Sequence, residues 1–168
     1  MAEDFELSLD GELRPRLLEG LEGTLLSEAL WRYVRRARRG ALDAALVVGT
    51  GKDLLEATAA HVILEIQGTS SSTDNFPSRL AQAYYALGLP TSQDKPKPGD
   101  TPQQALDRAL FDAACAVNRL RNKQGIGHGR AWLPTVTDAE ARTAVELMGI
   151  VADRLLSVLS DLRPGHRH

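Results

Sequence analysis

An all-α bundle of about five helices is the fold class this sequence predicts, and three observations carry it. Alanine and leucine dominate while aromatic residues make up only 5%, a composition that favours helices over a sandwich or barrel. Apolar residues recur at three- and four-residue steps along several segments. Two Thr-x-x-Gln/Glu boxes, Thr101 to Gln104 and Thr137 to Glu140, mark helix starts, and no convincing strand pair or internal repeat interrupts the pattern.

The elements follow in order. Residues 1–22 hold seven acidic side chains against Arg14 and Arg16 and read as an acidic arm or short helix. From about 23 to 40 the stretch GTLLSEALWRYVRRARRG is amphipathic, with Leu26, Leu30, Tyr33 and Ala37 at helical spacing and Gly40 as a stop. A second helix spans about 41–66, its first half weakened by Gly49 and Gly51. QGTSSSTDNFP is turn chemistry, and a short helix from Pro77 to Leu87 ends at Gly88. LPTSQDKPKPGDTP, with four prolines, reads as an exposed connector.

Thr101 then caps a helix running to about Arg121, whose apolar face is expected at Leu106, Leu110, Ala113, Val117 and Leu120. The last helix, from Thr137, carries Ala141, Val145, Met148, Ala152, Leu155, Leu159 and Leu162 in alternating four-three steps. That spacing suits either a core helix of one bundle or a dimer seam. The helical domain is therefore placed at 23–162, with 163–168 as a flexible tail.

The 168 residues, 43% hydrophobic and 25% charged, suit one globular domain. A net charge of −2 exerts no global pull on nucleic acid, so any such pull must come from a local patch. One cysteine, Cys115 in AACAV, excludes an intrachain disulfide and fits a reducing compartment. The acidic N-terminus lacks a signal-peptide layout, and no apolar run approaches bilayer length. A cytoplasmic location without a membrane partner is the expectation.

Several signals have plain readings. GTGKD at 49–53 lacks the spacing of a phosphate loop and the Ser or Thr after its lysine, so it is set aside. Lys52 and Glu56 lie four apart on a stripe shared with Ala45, Ala59 and Ile63. They form either a structural ion pair or part of a site. Arg32, Arg35, Arg36 and Arg39 share one helical face, which is either solvated surface or a track for a nucleic-acid backbone. His61 in TAAHVIL reads as a packed helix residue, and His166 and His168 belong to the tail. Between Ala113 and Thr137 one His stands without any Asp or Glu, so neither a metal nor another cofactor is expected.

LRNKQGIGHGR at 120–130 carries the chemistry. Arg121 and Asn122 end a helix, and Gly125, Gly127 and Gly129 permit the sharp turns that would fold His128 back toward Arg121. Arginine supplies a charged planar fork suited to phosphate oxygens; histidine moves protons near neutral pH. Together they meet the needs of phosphodiester cleavage without a metal. A helix end at which Arg and His merely satisfy carbonyls is the competing reading.

The stretch resembles the signature of the abortive-infection C-terminal family, Abi_C, in the HEPN superfamily of helical ribonucleases. That motif is Arg, a polar residue, a few more positions, then His; Arg121, Asn122 and His128 fill it, with six residues between Arg and His. Lys52 and Glu56 match the family's earlier helix, where a Lys precedes LLE, and the similarity covers roughly 41–160. The proline-rich connector and the short N-terminal segment depart from it.

The resemblance implies an HEPN-like bundle and a metal-independent endoribonuclease of phage defence or a toxin–antitoxin system. Attack by the 2′-hydroxyl leaves a 2′,3′-cyclic phosphate. In that scheme His128 moves the proton, Arg121 binds the phosphate and Asn122 orients one of them. Lys52, Glu56 and Lys123 support the site, and Arg130 joins the arginine face as an RNA contact. Its relatives are dimers with converging motifs, so a homodimer with a composite site is the expected assembly, and an antitoxin is a further expected partner. Two other readings compete: a non-catalytic HEPN-type module binding RNA, nucleotide or protein, and a purely structural dimerisation domain.

Overall fold

Caps and glycine stops divide the chain into the helices that its periodicity leads one to expect. The computed structural model of the protein describes residues 23–38, 44–124 and 137–163, with side chains at all of these except 33–38, 44–51, 121–124 and 138. The described residues form five helices and no strand: α1 (Gly23–Arg38), α2 (Ala44–Gln67), α3 (Phe76–Ala86), α4 (Pro102–Gln124) and α5 (Asp138–Leu162). Gly40, the acidic arm at 1–22 and the tail at 164–168 lie outside the described residues.

Each boundary has a local cause. Gly49 and Gly51 do not break α2, because the apolar run behind them packs into the core. At the far end Gly68 takes φ +70° and donates its N–H to the Leu64 carbonyl. Asn75 caps α3 by accepting from the Ser78 N–H at 3.1 Å, with Pro77 in the first turn. The helix closes in a Schellman motif: Leu89 donates to Tyr84 at 2.8 Å and Gly88 to Tyr85 at 3.0 Å, with Gly88 at φ +73°. Thr101 and Gln104 satisfy each other's N–H groups ahead of α4, and Thr137 and Glu140 do the same for α5.

The core lies where α2 and α5 pack most extensively on each other, with α1 against both, α3 on α2, and α4 on α5 and α3. Leu55, Val62 and Ile63 of α2 meet Leu155, Leu156 and Leu159 of α5 in one buried cluster. Tyr84 of α3 and Phe111 of α4 pack edge to face, ring centres 5.2 Å apart at 75°. No helix among the described residues is long and apolar enough to cross a membrane.

Two features differ from the sequence expectation, and on α5 one of its two open readings holds. The connector is ordered and partly inside: Thr91 is fully buried, and its N–H and hydroxyl both donate to Asp94 Oδ2, at 2.7 and 3.1 Å. On α4 the buried face is Asp107, Phe111, Ala114, Cys115, Val117 and Asn118; of the expected stripe Val117 is inside and Leu110 packs against the core, while Leu106, also expected inside, is 57% exposed. On α5 the four-three stripe is core from Ala141 to Leu159, and only Leu162 remains open. That stripe is spent on the chain's own bundle and is not available as a dimer seam.

Candidate functional site

Helix α4 sets the position of the chain's most chemical stretch. From its capped start it runs 23 residues without a break. Arg121, Asn122 and Lys123 therefore ride on its last helical turn, where the negative end of the helix favours cations. One turn earlier Asn118 is buried at 4% exposure, and its amide oxygen has no hydrogen-bond partner among the described residues. A buried, unsatisfied acceptor is uncommon, and this one stands three residues before Arg121. His128 and Arg130 lie outside the described residues, as does Arg39.

Lys52 and Glu56 are both on α2 and form the expected i, i+4 ion pair, Nζ to Oε1 3.4 Å, each side chain roughly four-fifths buried. Lys52 Nζ also stands 5.9 Å from the centre of the Phe76 ring at the start of α3, within reach of a cation–π attraction. The lysine is thus satisfied on two sides by the bundle, which supports the structural ion-pair reading. Among the arginines expected on one face, Arg32 is exposed on α1; Arg35 and Arg36 follow one turn on along the same helix.

Two polar clusters escaped the sequence reading. In the first, Arg154 of α5 grips the buried Asp107 of α4 in a fork, Nε to Oδ1 2.8 Å and Nη2 to Oδ2 3.0 Å. Nearby, the buried Tyr84 hydroxyl has no hydrogen-bond partner among the described residues. Burial first, and then the Asp107 charge, push its ionisation far above the usual tyrosine range, against a smaller opposing effect of Arg154.

In the second cluster, Ser27 Oγ of α1 and His61 Nε2 of α2 are 2.7 Å apart. Arg163, at the end of α5, donates to Ser27 Oγ at 3.2 Å and to Glu65 Oε2 at 3.1 Å. His61 is 3% exposed and lies inside the bundle, as a packed helix residue should. Burial lowers its pKa from 6.5; Glu65 opposes that shift and Arg163 adds to it. The sequence signal for both clusters was a polar residue at a core-facing helical position. Their partners stand 34 and 47 positions away, beyond any local spacing rule.

Among the described residues no group of three or more His, Cys, Asp or Glu side chains could hold a metal ion. Compared with known proteins, residues 28–159 match the model of a family described as Abi_C, an HEPN-like domain. That span runs from within α1 almost to the end of α5 and includes the whole Arg121–Arg130 stretch. No curated protein matches, and no solved structure does.

Proposed function

The chain belongs to the Abi_C family of HEPN-like domains, and from that premise we propose that it is a metal-independent endoribonuclease of an abortive-infection or toxin-type system. The observation that carries this reading is Arg121-Asn122 on the final turn of α4, followed after a glycine-rich stretch by His128, within the matched span.

Cleavage proceeds by in-line attack of the ribose 2′-oxygen on the adjacent phosphorus. His128 takes the 2′-hydroxyl proton, the P–O5′ bond breaks, and the leaving 5′-oxygen gains a proton, giving a 2′,3′-cyclic phosphate and a 5′-hydroxyl. Arg121 holds the non-bridging oxygens as charge builds on the phosphorus. Asn122 orients one of these two side chains, and Lys123 and Arg130 add positive charge beside the backbone. One imidazole cannot be base and acid at the same instant, so a second copy's His128 supplies the other proton in a homodimer. Lys52 and Glu56 act one step removed, by holding the start of α2 against α3. The Arg32 face extends the RNA track, and an antitoxin that covers the motif is the natural restraint on such an activity.

The test is cleavage of purified RNA in excess chelator. Wild type is expected to cut, while His128→Ala and Arg121→Ala each lose about a hundredfold or more with unchanged thermal melting. Undiminished cutting by His128→Ala removes its role. A folded wild type that binds RNA without cutting it leaves the non-catalytic HEPN-type module standing instead.

A further inference from the structure

Helix α4 sends one line of side chains into the bundle. Asp107, Phe111, Ala114 and Asn118 succeed one another in steps of four, three and four, and all are buried. Arg121 is the next step of three on that line, and it also lies four residues beyond the buried Val117. Register therefore places Arg121 on the inward side of α4, at its last turn.

Two residues on this line carry side-chain acceptors, and the fold treats them differently. Both carboxylate oxygens of Asp107 are met by the Arg154 fork, at 2.8 and 3.0 Å. The amide oxygen of Asn118 is met by no donor among the described residues. A buried oxygen left unpaired loses its hydration with nothing in return, which is why nearly all are paired. The side chains one turn on are the nearest source of a donor. Lys123, five residues away, stands about 140° round the helix. Asn122 is in register but short. Arg121 is in register and long, and long helical side chains lean back over the turn before their own α-carbon. A guanidinium brings donors and no acceptor, which is what a lone oxygen requires.

We propose that Asn118 is a positioning residue for Arg121: its Oδ1 accepts one guanidinium N–H and fixes the fork, so that the remaining N–H groups face the phosphate. The contact stands on register and burial; its catalytic consequence rests on the ribonuclease reading. A neutral amide suits this task. Asp107 cancels the charge of the arginine it binds, whereas an amide orients a guanidinium and leaves its full charge for the scissile phosphate. A fork fixed before RNA arrives spares the transition state the cost of ordering a long side chain.

A double-mutant cycle on the full chain tests the contact without reference to activity. Asn118→Leu and Arg121→Ala, alone and together, are unfolded in urea. Their effects on the unfolding constant are expected to be coupled about fivefold or more, and the matching cycle with Asn122→Ala to be additive within about twofold. Asn118→Ala carries the same cycle if leucine overfills the site. Additivity with Arg121, or coupling to Asn122 in its place, overturns the contact. Cleavage of RNA in chelator then reads the consequence. Asn118→Leu is expected to lower kcat about tenfold with KM within about twofold. Asn118→Asp, which holds the fork but cancels its charge, is expected to raise KM about threefold or more. A kcat equal to wild type in Asn118→Leu, or an unmoved KM in Asn118→Asp, removes the positioning role. A coupled pair in a chain that cuts no RNA keeps the contact and removes the ribonuclease, whereas cutting that depends on Arg121 without coupling does the reverse.

Discussion

Asp107 is a carboxylate 2% exposed on the buried face of α4, and it is tolerable there because Arg154 reaches it with two charge-assisted hydrogen bonds. Removing the arginine leaves the charge buried and alone, so Arg154→Ala is expected to destabilise the fold by about 3 kcal/mol. Asp107→Asn retains an acceptor and should cost less. Urea unfolding with an unchanged m value checks the order, and equal stabilities for wild type and Arg154→Ala would contradict it. His61 makes the complementary point about protons. Its folded pKa is depressed below 6.5, chiefly by burial, so the unfolded chain takes up a proton first as pH falls. The contribution of the neutral imidazole is present above about pH 6.5 and is lost as pH falls toward the folded value. Unfolding free energy measured from pH 7.5 to 5 should fall in wild type and fall less in His61→Gln; parallel curves for the two would remove His61 from the pH response.

At the scale of elements, helix ends were the most legible part of the sequence. Thr101 to Gln104 and Thr137 to Glu140 are local signals, complete within four residues, and both boxes form. Thr137→Ala should therefore cost about 1 kcal/mol by chemical denaturation, and no loss at all would mean the box does not hold the start of α5. At the Schellman end of α3, Gly88 has open space around its α-carbon but a left-handed backbone. Gly88→Ala is expected to cost about 1 kcal/mol from backbone strain alone. Helix faces were harder to read. The stripe Leu106 to Leu120 looked like the core side of α4 because it holds the leucines. The real core side keeps Val117 of that stripe but adds Asp107, Cys115 and Asn118, and Asp107 is intelligible there only once Arg154 is seen opposite it. On α5 the same kind of stripe was read correctly as core, because nothing polar lies along it.

For the whole molecule, the bundle and its family were legible from a short motif and a helical rhythm, and both stand in the structure and in the family match. Of the proposed site the sequence offers a set of residue types, and the structure adds that Arg121, Asn122 and Lys123 share the last turn of α4. Whether Arg121 and His128 meet is not written in any local spacing. The described structure contributes the frame: α4 carries Arg121 and Asn122 on its last turn, and α5 is closed within the core. The proposed chemistry depends on a ribose hydroxyl as the nucleophile. The most direct measurement is end-group analysis of a defined oligoribonucleotide after incubation in chelator, beside the same strand with 2′-deoxyribose at every position. The expected result is 2′,3′-cyclic phosphate ends from wild type on the ribose strand, with the deoxy strand intact and no products from Arg121→Ala. Products from the deoxy strand, or 3′-hydroxyl ends on the ribose strand, would contradict the proposed reaction.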